Sequence, residues 1–251
     1  MSVADKFEII ADAVYEKGCA EGKLAEWNAF WDDFQDKGNR TYYACAFCGA
    51  GWTKDTFRPK YDLTPAGTCD NMFFTFGLSS QDGKSIPPMD LAQQLEDCGV
   101  RLDCSQMVRL YRSFYNARFS RLPELDLSSC TYLTNAFTYS TYLETIDKII
   151  LGSTFTDKDH TQVFNQCTSL KNIIIEGEFI LSVSFPHSPL TVASMKSIIS
   201  ALKDYSGTDK EFTYTVTFTS ACITALDKEG NNSPNGNTWR NYANDKGWNI
   251  V

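Results

Sequence analysis

Leu122-Pro123-Glu124-Leu125-Asp126-Leu127-Ser128-Ser129-Cys130-Thr131-Tyr132-Leu133 decides how this chain is read. Apolar residues fall in the order L-x-x-L-x-L-x-x-C-x-x-L, which is the leucine-rich-repeat pattern with one extra residue before the last leucine. The alternation Leu125-x-Leu127 puts two leucines on one face of a strand and Asp126 on the other. One period upstream stands Leu102-Asp103-Cys104-Ser105. Downstream stand Ile149-Ile150-Leu151 and Ile173-Ile174-Ile175. Leu102, Leu125, Ile149 and Ile173 are 23, 24 and 24 residues apart. A second landmark is phased with the first: Ser113-Phe114, Ala136-Phe137 and Val163-Phe164. One bulky aromatic per turn fills the space between the strands of a solenoid and its convex side. Phe76-Gly77-Leu78-Ser79-Ser80 reads as a degenerate earlier copy. The expected fold class is therefore α/β: a leucine-rich-repeat solenoid with a parallel concave sheet, an N-terminal helical segment and an α/β C-terminal cap.

The flanks complete the expected domain organisation. Residues 1–38 form an N-terminal helical cap or oligomerisation segment, 39–190 the solenoid and 191–251 the C-terminal capping segment. In the first of these Trp27, Phe30, Trp31 and Phe34 gather at helical spacing. They would dock on the first repeat or join copies of the chain into a homo-oligomer. In the last, Thr191 caps a helix expected to run to Tyr205, with Val192, Met195, Ile198, Ile199 and Leu202 on one face. Phe212–Thr219 alternates as a strand, Glu229–Asn237 is a loop, Trp239–Lys246 is a short helix and Trp248–Val251 a final strand.

Phe164 to Ile175 reads F-x-x-C-x-x-L-x-x-I-x-I and resembles the BspA-like class of leucine-rich repeats found in bacterial surface antigens. The resemblance covers about residues 99–177. The proline that usually follows the strand is replaced by Glu176-Gly177. Phe30-Trp31-Asp32-Asp33-Phe34-Gln35, Gly51-Trp52, Pro59-Lys60-Tyr61-Asp62, the run from Ser188 to Ile199 and the closing Lys246-Gly247-Trp248 are similar to repeat proteins of phages and prophages of gut Firmicutes. The resemblance implies a virion-associated or surface interaction role and carries no activity with it.

Composition narrows the function classes. The 251 residues carry a net charge of -8 at pH 7, which disfavours binding to a phosphate backbone. No run of 18 apolar residues is present, so membrane insertion is not expected. Met1–Glu8 lacks a basic and then apolar opening, so no signal peptide is expected. The chain is expected to be cytoplasmic when made and then virion-associated or released by lysis. Nine cysteines, an odd number, argue for free buried thiols over a disulfide framework. Cys45-Ala46-Phe47-Cys48 has no second pair of ligands for zinc. Two histidines, His160 and His187, stand near no recognisable nucleophile. Asp157-Lys158-Asp159 is too short for a calcium loop, and Asp32-Asp33 reads as a solvated helix face. No catalytic residue, metal site or cofactor is therefore expected.

The candidate surface is the concave sheet. One cross-strand row, Arg101, Glu124, Lys148 and Asn172, alternates in sign and reads as internal pairing. The other, Asp103, Asp126, Ile150 and Ile174, is acidic at one end and apolar at the other and is the expected contact surface. The expected function is a non-enzymatic binding protein, an adhesin or phage receptor-binding type recognising a cell-surface glycan or protein. The alternative is a structural virion subunit that assembles through the N-terminal helix.

Overall fold

The buried side chains of the repeats lie on parallel strands in the computed structural model, which describes residues 47, 52–54, 56–74, 87–157, 159–207 and 214–251. The described elements, in chain order, are β1 (Ala66–Thr68), β2 (Met89–Asp90), α1 (Leu91–Cys98), β3 (Gln106–Arg109), β4 (Phe119–Leu127), β5 (Thr145–Leu151), β6 (Asn172–Glu176), β7 (Val183–Ser184), α2 (Val192–Ser200), β8 (Tyr214–Thr217), α3 (Ser220–Asp227), α4 (Trp239–Asp245) and β9 (Trp248–Ile250). The strands form three sheets, β1-β3, β2-β4-β5-β6 and β7-β8-β9. Every pair in them is parallel. The architecture is mixed α/β. Residues 1–46 lie outside the described residues, and with them the expected helical segment with Trp27, Phe30, Trp31 and Phe34. So do Cys48 and the copy at Phe76–Ser80.

Register in the central sheet follows burial. Leu122 pairs with Ile146 and Leu125 with Ile149, all of them buried. Ile146 then pairs with Ile173, and Ile149 with Ile175. The spacing read from sequence placed Ile173 beside Ile149, and the structure corrects it by two residues. Two outward residues separate the buried positions of β4 (Pro123, Glu124) and β5 (Asp147, Lys148), whereas Ile174 alone does so in β6. Burying the wrong face of β6 would cost more than the register shift that avoids it. At the end of β6, Gly177 has φ +81, and a Cβ there would stand 2.1 Å from the Leu151 carbonyl oxygen. Only glycine fits this close passage between successive turns.

A column of phenylalanines runs behind the strands. Phe47, Phe73, Phe114, Phe137, Phe164, Phe185 and Phe218 stack with successive ring centroids 4.9, 5.4, 5.3, 5.2, 4.6 and 6.0 Å apart and planes within 22° of parallel. The step is close to the ~4.8 Å separation of paired strands. The backbone repeats with the rings. Phe73 N–H donates to Ser113 O, Phe114 N–H to Ala136 O, Phe137 N–H to Val163 O and Phe185 N–H to Thr217 O, in each case the residue before the next ring. Three residues after the ring stands a small donor. Ser140 Oγ donates to Phe114 O (2.5 Å), Cys167 Sγ to Phe137 O (3.1 Å) and Ser188 Oγ to Cys167 O (3.0 Å). This is what the cysteine of F-x-x-C does here: it is small enough to bury and it satisfies a carbonyl. The column passes residue 190 without a break.

The helices are set by local chemistry. Asp90, Thr191, Thr219 and Thr238 cap α1, α2, α3 and α4, each accepting from a backbone N–H three residues on. The helix expected to reach Tyr205 stops at Ser200. Lys246 Nζ donates to the carbonyls of Ile199 and Ser200 at 3.4 and 2.8 Å and so satisfies the C-terminus of α2. Leu202, expected on the helix, instead makes an isolated bridge with Phe179. Of the strand expected over Phe212–Thr219, Tyr214–Thr217 is strand and Phe212 and Thr213 lie outside the described residues; the expected final helix and strand are α4 and β9. Helices α1 and α3 were not anticipated.

Candidate functional site

Gly99, with φ +68, turns the chain out of α1. Its N–H donates to Glu96 O, and Val100 N–H donates to Leu95 O, closing the helix end. The chain then runs past Leu63. Leu63 N–H donates to Arg101 O, and Asp103 N–H donates to Leu63 O. Residues 100–104 are thereby held on the side away from β4. The space between them, α1 and β4 is a cleft of about 530 Å³. That volume lies within the range of small-ligand sites. Leu95, Val100, Leu102 and Pro123 supply its apolar walls, and Glu96, Asp103, Glu124 and Asp126 supply carboxylates.

Asp103 and Asp126 are equivalent by repeat and by contact. Asp103 Oδ1 accepts from Ser105 N–H, and Asp126 Oδ1 accepts from Ser128 N–H, both at 3.0 Å. Hydrogen bonds from Ser105 hold the Asp103 carboxyl below the usual carboxylate range. At the rim Arg101 donates to Asp62 from both its backbone N–H (2.9 Å) and its guanidinium (3.0 Å), which lowers the Asp62 carboxyl too. Glu124 pairs with Lys148 at 2.9 Å. The thiol of Cys104, also at the cleft, is raised well above its ordinary value by burial and stays protonated. The cleft therefore offers fixed negative charge and hydrogen-bond acceptors over an apolar floor.

Of the four residues of the expected contact row, Asp103 and Asp126 line this cleft, and Ile150 and Ile174 do not. Ile150 pairs with Asp126 on one side but with Glu176 on the other, and it is only partly exposed. Ile174 is 53% exposed and stands alone on its strand. The single residue between the buried Ile173 and Ile175 shifts the register and separates the two isoleucines from a common row. The charged row is changed for the same reason. Lys148 bridges Glu124 and Glu176, at 2.9 and 3.3 Å, and Asn172 pairs with Thr145. Arg101 pairs with Asp62 and not with Glu124. Glu96 was missed, although Asp90-x-x-Gln93 before an apolar run and Gly99 after it are start and stop signals for α1.

The remaining reactive groups serve the core. His160 has no exposed side-chain surface and lies against Phe155 and Phe179, at centroid distances of 4.5 and 6.1 Å. Burial pushes it down to about 4, so it is neutral at pH 7. Its approach to Asp157, Nε2 to Oδ2 at 3.8 Å, is consequently not an ion pair at that pH. Asp157 Oδ2 accepts from Leu133 N–H at 2.6 Å, and burial raises this carboxyl. Cys130 and Cys167 are buried free thiols pushed up to about 12. Among the described residues no group of three or more His, Cys, Asp or Glu side chains is placed to hold a metal ion. Among the same residues no helix is long and apolar enough to cross a membrane.

A second surface feature was not read from the sequence. Outside the phenylalanine column, Phe74, Tyr115 and Tyr139 follow one another at 5.1 and 5.4 Å. Arg112 lies over Tyr111 and Tyr115 at 5.0 and 5.3 Å, and Arg109 over Tyr132 and Tyr111 at 4.5 and 5.5 Å. Arg118 lies over Tyr142 at 4.6 Å. No protein-family model, no curated protein and no solved structure matches the chain.

Proposed function

We propose that the chain is a non-enzymatic binding protein built as a leucine-rich-repeat solenoid, of adhesin or phage receptor-binding type, that recognises a glycan or protein on a cell surface. The observation that carries this reading is the phenylalanine column. Seven rings stacked 4.6 to 6.0 Å apart, with backbone hydrogen bonds repeating along them, support a reading in which each turn packs on its neighbours. That is how a repeat protein displays an extended surface with no single deep centre. The cleft between α1 and β4 adds a concave acceptor surface to it. Its wall thiol is held protonated, and Asp103, Asp126 and Glu124 are already engaged by backbone N–H groups or Lys148, which suits recognition better than bond-making.

Labelled full-length protein titrated onto a panel of gut bacterial cells and isolated wall polysaccharides tests the reading. Saturable binding is expected. Asp126→Asn, at a half-buried outward position, and Ile174→Lys, at an exposed one, leave the core intact. Loss of binding in either variant places recognition on this face, and absence of saturable binding to every cell and polysaccharide refutes the reading.

A further inference from the structure

The aromatic and arginine side chains outside the phenylalanine column form one connected strip. Tyr132, Arg109, Tyr111, Arg112, Tyr115 and Tyr139 touch in that order, by guanidinium-over-ring contacts and then a ring-to-ring contact. The strip climbs from turn to turn because the turns are stacked: Arg112 N–H donates to Thr134 O and Asn116 N–H to Thr138 O. Tyr139, at its end, and Tyr142 are 45% and 40% exposed, two of the six most exposed large apolar side chains among the described residues. The strip shares no residue with the acidic cleft.

We propose that this strip is a binding site for a linear acidic polysaccharide carrying carboxylates. Three features lead there. First, the strip carries positive charge on a protein whose net charge is -8: both Arg109 and Arg112 belong to it. Arg109 is engaged by Asp70 at 3.0 Å, whereas Arg112 makes no ion pair with any described residue. A planar guanidinium with free N–H donors matches a carboxylate edge. Second, the ring faces are occupied. Tyr111 has two guanidiniums over it, and Phe74 and Tyr115 stack at 18°. Bases of a single-stranded nucleic acid need free ring faces to stack on, so nucleic acid is disfavoured. What the strip presents is phenolic hydroxyls and guanidinium donors, which call for a hydrophilic, acceptor-rich partner. Third, the tyrosines recur on two neighbouring segments, Tyr111 beside Tyr132 and Tyr115 beside Tyr139, as a polymer of repeating sugar units requires.

The test is titration of the full chain with polygalacturonate, hyaluronan and alginate, and with neutral dextran, followed by calorimetry at two salt concentrations. Saturable binding to at least one acidic polymer, weakened by salt and absent with dextran, is expected. Arg112→Gln should weaken it about tenfold or more, the loss that follows from removing a hydrogen bond to a charged group. Tyr139→Phe keeps the ring at an exposed position and removes only the hydroxyl, so a severalfold loss there separates recognition from folding. Arg240→Gln, which removes an arginine paired with Asp227 and belonging to neither the strip nor the cleft, should bind as the parent does. Failure to bind all three acidic polymers, equal binding to dextran, or undiminished binding in both Arg112→Gln and Tyr139→Phe overturns the proposal. Binding to cells that survives these two variants would leave the binding-protein reading standing and remove this site from it.

Discussion

Replacing Phe137 by alanine tests the phenylalanine column directly. Phe137 is fully buried and sits between Phe114 and Phe164, at 5.3 and 5.2 Å, with planes 11° and 1° from parallel. Truncating a buried phenylalanine costs about 3–5 kcal/mol, and a site walled by two rigid rings cannot collapse to heal the void, so the upper half of that range is expected. For a chain of this size the thermal midpoint should fall by on the order of 10 °C. Phe137→Leu keeps most of the volume but loses both ring pairs, each contributing about 0.5–1.5 kcal/mol. The sharper measurement is a double-mutant cycle by urea unfolding. Phe137→Leu with Phe164→Leu should show a coupling of about 0.5–1.5 kcal/mol, because the rings touch. Phe114→Leu with Phe164→Leu should couple by less than ~0.5 kcal/mol, because Phe137 separates them. A cost below ~2 kcal/mol for Phe137→Ala, or equal coupling in the two cycles, would refute the idea that each turn is held only by its neighbours.

Gly177→Ala should cost at least ~2 kcal/mol, since it adds a clash with the Leu151 carbonyl to a positive φ. Gly236→Ala, with φ +80 but open space, should cost only about 1 kcal/mol, and equal costs in denaturant unfolding would contradict the close passage. His160 gives a pH dependence. Its folded value of about 4 lies below the ordinary 6.5, so the unfolded chain takes up the proton first. Stability should therefore fall by up to about 3 kcal/mol as pH drops from above 6.5 towards 4. Protonation of Asp157, which burial raises, works in the opposite direction, and His160→Phe should flatten the fall. A parent profile already flat between pH 7 and 5 would count against a neutral buried imidazole. Thiol labelling of native protein should leave Cys104, Cys130 and Cys167 unmodified while half-buried Cys98 reacts, as read by mass spectrometry. Rapid modification of Cys167 would argue against its place behind Phe164.

The legible parts of the fold were those written in short-range chemistry. Alternation at Leu125-x-Leu127 marked β4, and Thr191, Thr219 and Thr238 stand three residues before the N–H groups they cap. The threonine at 219 was nevertheless read as the end of a strand, which hid α3. Phe114, Phe137 and Phe164 were recognised as a landmark, but Phe47, Phe73, Phe185 and Phe218 were not. Successive rings are 26, 41, 23, 27, 21 and 33 residues apart, so no fixed period reveals them. A turn can lengthen outward without changing the separation of the strands it joins, and ring spacing follows the strands.

Of the candidate surfaces, the acidic half of the concave row, Asp103 and Asp126, could be read from alternation alone. The cleft they line could not, because it depends on α1 and on Leu63 drawing residues 100–104 away from β4. The tyrosine and arginine strip was beyond sequence reasoning for a further reason. Arg109, Tyr111, Arg112 and Tyr115 lie within seven residues, but their contacts to Tyr132 and Tyr139 join segments more than twenty residues apart and exist only in the folded chain.

By itself the sequence determined which residues face inward, where α2 and α4 begin and that parallel strands recur about every 24 residues, because each of these follows from side chains a few positions apart. Only the tertiary structure decided the pairing of Ile149 with Ile175. Register is set by which buried side chains meet across strands, a competition between burial and spacing that no single segment contains.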